Sequence, residues 1–337
     1  EQASGLSLRG FFRQWWHQPG HPTIQVAHLV RKGELYLELA QIQKDPQPIF
    51  KLSPELELRT ERGIRNFTPQ FYTQDTTYKI SLDSPLLDIT ADPEQELLVV
   101  WEQKVGKTTL LERLNSSRMR VRHRALQQIG RKKWDEQVKK RVIDLAQEDP
   151  FWGVRREAMK VLYDRFDPTM RALAYSRTSE NEPNGRVRVV SLYMAQQDTT
   201  HEAKNYLREM IEDSSYFVAA EAIKIYSKEY SEGAYSVIRP IGIQHTYQEI
   251  LRAAFAQGLQ HIPANQAIPE LFDLARNNGD WQYIRDAMQS LHHHIQNNPQ
   301  RISEYLELLH KKSQSPYAEV RQLAKKLNSL YGQPAVN

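Results

Sequence analysis

The chain has 337 residues, 40% hydrophobic and 26% charged, which places it in the globular range with room for about two domains. A mean hydropathy of -0.66 and no apolar run near the ~20 residues of a spanning helix lead to the expectation of a soluble protein with no membrane partner, and composition does not choose between cytoplasm and periplasm. The absence of cysteine excludes disulfides, thiolate metal sites and cysteine nucleophiles, and the net charge of +4 is uneven: residues 1–105 hold 11 Lys and Arg against 14 Asp and Glu, but 104–165 hold 17 against 8.

The first predicted element is a helix over 7–17, Ser7-Leu-Arg-Gly-Phe-Phe-Arg-Gln-Trp-Trp-His17, with Ser7 as its cap and Pro19-Gly20 as its stop. Phe11, Phe12, Trp15 and Trp16 recur on it at helical spacing. So short a helix is not stable alone, so this aromatic stripe is expected to pack on the β-sandwich or on a partner outside this sequence.

Strand signals follow at 23–30, 34–43, 55–59, 76–82 and 96–101. Several alternate with period two, as Leu35, Leu37 and Leu39 do against Glu34 and Glu38. The pattern predicts a small β-sandwich with antiparallel sheets.

After residue 105 the pattern turns helical and repetitive. Copies of Val-Arg-x-x-Ala stand at Val121–Ala125, Val154–Ala158, Val187–Ser191, Val218–Ala222, Ile250–Ala254 and Val320–Ala324, with a looser copy at Ile284–Ala287. Their small residues are 33, 33, 31, 32, 33 and 37 positions apart. A period in the low thirties filled by two helices predicts an α-solenoid, and the motif is similar to the second helix of HEAT-like repeats. First helices are expected between copies, as at 135–147 and 200–212, with breakers at Pro150, Pro168, Pro263 and Pro299. The fold class is therefore multi-domain and mainly α: a short helix over 1–21, a β-sandwich over 22–104, and a solenoid of about seven repeats over 105–337.

The motifs that would carry chemistry fail on spacing. Val105-Gly-Lys-Thr-Thr109 ends like a phosphate-binding loop, but Trp101 stands where the first glycine must be, so Lys107 and Thr108 are assigned to the start of a helix. His201-Glu-Ala-Lys-Asn205 lacks the second histidine of a zincin helix. His292, His293 and His294 are consecutive, point about 100° apart on a helix, and are expected at a solvated helix end. No Gly-x-Ser-x-Gly elbow occurs. Arg122, Arg155, Arg188, Arg285 and Arg321 recur once per repeat. They are candidates either for a structural ladder that bonds carboxylates and helix ends or for binding a peptide carboxylate. Arg118-Met-Arg-Val-Arg-His-Arg124 with Arg131-Lys-Lys133 suggests nucleic acid, yet only Trp134 lies nearby to stack a base, which argues against that partner.

The segment from Ser4-Gly5 through the Phe-Phe-x-x-Trp helix to Gly20-His-Pro22, followed by Leu37–Gln43 ending in Gln-x-Gln and by Ile49–Leu52, resembles the aminopeptidase N family of zinc aminopeptidases. In that family this helix ends the catalytic domain and leads into a β-sandwich and a helical-repeat domain. The resemblance implies a piece of a longer chain, without the family's zinc ligands or catalytic tyrosine and with no catalytic, metal or cofactor site of its own. It implies zinc in the parent enzyme, a missing catalytic domain as partner on Phe11, Phe12, Trp15 and Trp16, and a solenoid that caps the cavity and shapes peptide access. Alternatives are an inert scaffold or interaction solenoid of the same fold and a nucleic-acid-binding solenoid acting through residues 104–165.

Overall fold

The computed structural model describes residues 5, 7–44, 47–129, 135–163, 170–177, 180–244, 249–277 and 279–331. Ser4, Arg131, Lys132, Lys133, Trp134 and Pro168 lie outside the described residues. The described residues are mainly helical (57%), a strand-rich N-terminal part being followed by a helical one. It divides into two compact units, residues 1–144 and 145–337.

The first unit opens with helix α1 (Arg9–Trp15), two residues shorter at each end than predicted. Leu8, not Ser7, is its N-cap, and no side chain caps it. Strands β1 (Thr23–Arg31), β2 (Glu34–Gln41), β3 (Leu56–Thr60), β4 (Gly63–Phe67), β5 (Asp75–Ser81), β6 (Leu86–Ala91) and β7 (Val100–Gln103) form two sheets, ordered β5-β2-β1-β7 and β4-β3-β6. Both feed one core, in which Ile24, Leu35, Leu37 and Leu39 of the first sheet meet Leu56, Leu58 and Ile89 of the second. The β1–β2 hairpin turns on Lys32 and Gly33 at φ 51° and 77°, the pair of positive values that a tight two-residue turn requires.

The first sheet is mixed rather than wholly antiparallel: β7 pairs with β1 in parallel, Thr23 opposite Val100 and Val26 opposite Gln103, while the second sheet is antiparallel throughout. The strand predicted at 96–101 begins only at Val100. Asp92 is the reason, because its carboxylate accepts the Glu96 and Leu97 amides at 2.8 and 3.4 Å and ties that stretch into a turn.

The Gln-x-Gln pair fixes the loop after β2. Gln41 is buried, accepts the Phe50 amide at 2.9 Å and donates to the Phe50 and Thr73 carbonyls at 2.8 and 3.0 Å. Gln43 donates to Gln41 and to the Pro48 carbonyl at 3.1 and 2.9 Å.

Helices α2 (Lys107–Leu114) and α3 (Met119–Ile129) belong to this strand unit. Arg113 of α2 is buried and bonds Asp88 of β6 through Nε and Nη2 at 2.9 and 2.8 Å, the Ile89 carbonyl at 2.6 Å, and Gln103 and Gln128 at 3.0 Å each. Helix α4 (Glu136–Glu148) follows and carries the division between the units.

The second unit contains α5 (Trp152–Tyr163), α6 (Met170–Tyr175), α7 (Gly185–Gln196), α8 (His201–Glu209), α9 (Tyr216–Glu229), α10 (Ser231–Gln244), α11 (Glu249–Leu259), α12 (Ala264–Arg276), α13 (Trp281–Ile295), α14 (Ile302–Lys312) and α15 (Ala318–Tyr331). Helices α5, α7, α9, α11, α13 and α15 pack each on the next. From α6 onward, each even-numbered helix packs on the odd-numbered helix that follows it. Every small residue of the sequence repeat is buried on an odd-numbered helix, from Ala125 on α3 to Ala324 on α15. Where α9 meets α11 the packing leaves no room for a side chain on Gly258: a Cβ there would stand 2.7 Å from the Ser227 hydroxyl. Among the described residues no helix is long and apolar enough to cross a membrane.

The histidine run is only partly in solvent: His293 is exposed and His292 is half-buried. His294 is buried, and its Nε2 donates to the carbonyl of Leu259 at 2.9 Å, because the chain closes α13 over the end of α11. Burial holds His261, His292 and His294 below the usual imidazole range, so all three fold in the neutral form. Their contribution to stability is present above about pH 6.5 and is lost as pH falls, since the unfolded chain then binds protons that the folded one resists. The expected result is a thermal midpoint lower at pH 5 than at pH 7.5, with the drop reduced in His294→Gln; equal drops in both proteins would exclude His294 as a source.

Candidate functional site

Two sets of side chains repeat along the helices and decide what the surface can bind. Four of the five motif arginines share one geometry. Each sends Nη1 to the carbonyl six residues before it, in the turn that opens its own helix: Arg122 to Ser116 at 2.8 Å, Arg155 to Asp149 at 2.7 Å, Arg188 to Glu182 at 2.6 Å and Arg321 to Ser315 at 2.7 Å. Two also grip an acid of the next turn with both remaining faces. Arg155 bonds Glu182 twice at 2.7 Å, and Arg188 bonds Asp213 at 2.9 and 2.6 Å. Arg188 is 2% exposed, so its planar fork is fully used in a dry joint.

Burial alone would raise the Glu182 carboxyl, but Arg155, the Asn184 amide and Arg177 together hold it below the usual carboxylate range. The acid therefore stays ionised, as a paired ladder requires.

Arg285 departs from the pattern. Its guanidinium lies 5.1 Å from the Trp281 ring and bonds Asp286 beside it at 2.7 Å. The copies on α9 and α11 have Ala219 and Leu251 at the arginine position.

A second series, on or just after the even-numbered helices, reaches the C-terminal end of the preceding even-numbered helix. Arg141 donates to the Leu114 carbonyl at 3.1 Å, Arg177 to Ala146 at 2.5 Å, Tyr206 to Arg177 at 3.1 Å and Lys312 to Asn277 at 2.8 Å. A donor at a helix C-terminus satisfies its unbonded carbonyls, and a cation there also opposes the helix dipole.

The basic run 118–124 is likewise consumed by its own unit. Arg118 pairs with Glu57, Arg120 reaches Glu94 at 2.8 Å, and Arg124 bonds the Ala91 and Asp92 carbonyls, the latter at 3.0 Å. The positive face expected there is thus largely spent on neighbours that the charge count cannot see.

Cations without such partners among the described residues stand elsewhere. A groove of about 510 Å³ runs over α5, α7 and the start of α9, floored by Val189 and Val190 and edged by Arg156, Arg186, Tyr193 and Phe217. On α1, Gln14 is bonded to both backbone groups of Lys51 at 3.0 and 2.8 Å and Trp15 lies 5.4 Å from the Phe50 ring. That docking turns Phe11, Phe12 and Trp16 outward, Trp16 at 79% exposed. Among the described residues no group of three or more His, Asp or Glu is placed to hold a metal ion.

The chain is similar in fold to Legionella pneumophila aminopeptidase A, solved in complex with aspartic acid, with a TM-score of 0.55 and 12% identity over 98% of this chain and 51% of that one. It spans about half the length of that aminopeptidase. A second solved structure, Escherichia coli YibA, aligns with a TM-score of 0.44 and 19% identity over 68% of this chain and 77% of that one. No family model and no curated protein matches the sequence. At this identity the likeness establishes a distant aminopeptidase-like fold.

The cap residues of the ladder, three of them acids, are the residues that sequence reasoning missed. They stand five positions before the apolar residue in five of the seven copies: Ser116, Asp149, Glu182, Asp213 and Ser315. Each accepts the amide two residues on, as Asp149 does from Phe151 at 2.9 Å and Asp213 from Ser215 at 2.7 Å. The signal was present in the pairs Asp149-Pro150, Glu182-Pro183 and Ser315-Pro316, which mark a capped turn before a helix.

Proposed function

We propose that this chain is the non-catalytic part of a zinc-dependent aminopeptidase. The observation that carries the reading is the fold likeness to an aminopeptidase along 98% of this chain. In this reading the zinc and the catalytic groups reside in a catalytic domain of the same polypeptide, which covers Phe11, Phe12 and Trp16. Three large rings on a helix of seven residues are an apolar surface of the kind that a partner domain buries.

The strand unit then serves as the link, and the helix pairs serve as a HEAT-like solenoid of seven repeats. A stack of helix pairs offers a long wall, and side chains locked by repeated ion pairs give that wall a set shape. Such a wall excludes bulk water and long substrates from a cavity without taking part in bond cleavage.

The test is direct. The isolated chain is expected to release no product from aminoacyl-anilides and to hold less than one zinc per chain by elemental analysis. Turnover that a chelator abolishes would overturn the reading.

A further inference from the structure

We propose that the groove over α5, α7 and α9 docks an acidic peptide segment, with a side-chain carboxylate held by Arg156 and Arg186 and an apolar neighbour laid on Val189, Val190 and Phe217. This proposal does not depend on the aminopeptidase reading.

It starts from a one-residue offset. Arg155 is consumed by Glu182 and the Asp149 carbonyl, but Arg156 points about 100° away on the same helix, into the groove. Arg156 is exposed and, among the described residues, has no hydrogen bond or ion pair. Arg186 lies across the same groove. Its guanidinium sits 5.2 Å from the Trp152 ring, which orients the plane while leaving its N–H edge unbonded. Two guanidinium groups with unused donors on one concavity fit a carboxylate.

The rest of the lining is apolar and set in place. Val189 and Val190 form a closed floor, 8% and 6% exposed, and Phe217 stands 51% exposed at the rim. Tyr193 donates its hydroxyl to Glu221 at 2.8 Å, and burial together with that acid pushes its pKa up to about 12. The ring is therefore a neutral, anchored wall. A volume of about 510 Å³ accommodates a few side chains, not a domain.

The charges select peptide over nucleic acid. Lys160 is already paired with Glu157 at 3.3 Å, and Glu221 lies beside Tyr193, so a run of phosphates would meet acids next to the two open arginines. A peptide carrying one carboxylate beside an apolar residue meets only the cations and the floor.

The experiment is fluorescence anisotropy with a labelled Leu-Ser-Phe-Glu-Leu peptide blocked at both ends. Its Gln counterpart, the same Gln peptide with a free C-terminus, and a single-stranded oligonucleotide of comparable length serve as the other arms. Saturable binding of the Glu peptide is expected, weakened about tenfold or more by the Gln replacement and by Arg156→Glu, and weakened also by Phe217→Ser. Arg156→Glu is expected to leave the unfolding temperature unchanged, because the side chain bonds none of the described residues; this variant keeps the proposal testable if Arg186→Gln disturbs the Trp152 stack. No saturation below about 1 mM, no effect of Arg156→Glu, tighter binding of the free C-terminus, or tighter binding of the oligonucleotide would each overturn it.

Discussion

Arg188→Ala is expected to cost the helical unit about 3–5 kcal/mol, because it strands Asp213 as a buried charge and leaves the Glu182 carbonyl without its donor. For a unit of this size that is a drop on the order of 10 °C in thermal midpoint. The comparison that gives the number meaning is Arg321→Ala. Arg321 bonds only the Ser315 and Pro316 carbonyls, at 2.7 and 2.8 Å, and is part-exposed, so its loss is expected to cost about 1 kcal/mol. If both variants unfold at the same temperature, the carboxylate half of the ladder adds nothing. Replacing Arg188 with Met and Asp213 with Asn together should recover part of the loss, since Asn still caps the Ser215 amide while the stranded charge is gone.

The same ladder sets an acid limit apart from the histidine effect. Glu182 is held below the usual carboxylate range, so its stabilising share is complete above about pH 4.5 and is lost as pH falls through its lowered folded value. The histidines lose theirs as pH falls below about 6.5, toward their lowered folded values. Two separate slopes in a plot of stability against pH are the signature.

How far the sequence reveals this molecule depends on the range of each signal. The repeat is local and periodic, so its seven small residues mark seven buried helix positions. Strand β6 was not legible because Asp88 breaks its apolar pattern, and an acid in a core makes sense only once Arg113, 25 residues later, is seen against it. The parallel pairing of β7 was hidden for a similar reason, as alternation along a strand does not state which neighbour it joins.

The candidate site shows the finest version of this limit. Arg155 and Arg156 are adjacent and chemically identical, but the helix turns one onto Glu182 and the other to the groove. Periodicity picks out the arginine that recurs, which here is the one already satisfied. The basic run 118–124 misleads in the same direction, since its partners Glu57, Glu94, Ala91 and Asp92 lie in strands and loops far back in the chain. Trp15, read from spacing as one of four equivalent rings, is turned inward onto Phe50 by the Gln14 clamp.

Arg113→Ala should loosen α2 and α3 from the strands they pack on, at a cost of about 3–5 kcal/mol to the first unit. Several ion pairs join these helices to strands, but their worth differs. Arg59–Glu112 and Arg118–Glu57 are partly solvated, and pairs of that kind contribute about 0–1 kcal/mol each. Arg113 and Asp88 are 5% and 6% exposed at the side chain, and the arginine makes five hydrogen bonds that tie β6, β7, α2 and α3 together. Removing it leaves Asp88 with only the Ile89 amide at 2.8 Å and the weaker Thr90 hydroxyl at 3.4 Å as partners. Hydrogen exchange is the readout that separates a local joint from general weakening. Amides of α2 and α3 are expected to lose protection in Arg113→Ala while those of β1 and β2, whose core of Ile24, Leu35, Leu37 and Leu39 does not involve the arginine, keep theirs. Replacing Arg113 and Asp88 together with Leu should restore stability more than it restores the helix protection, because an apolar pair fills the space without the directed bonds to Gln103, Gln128 and Ile89. Equal loss of protection across all seven strands and both helices would mean that Arg113 supports the unit as a whole and not this joint.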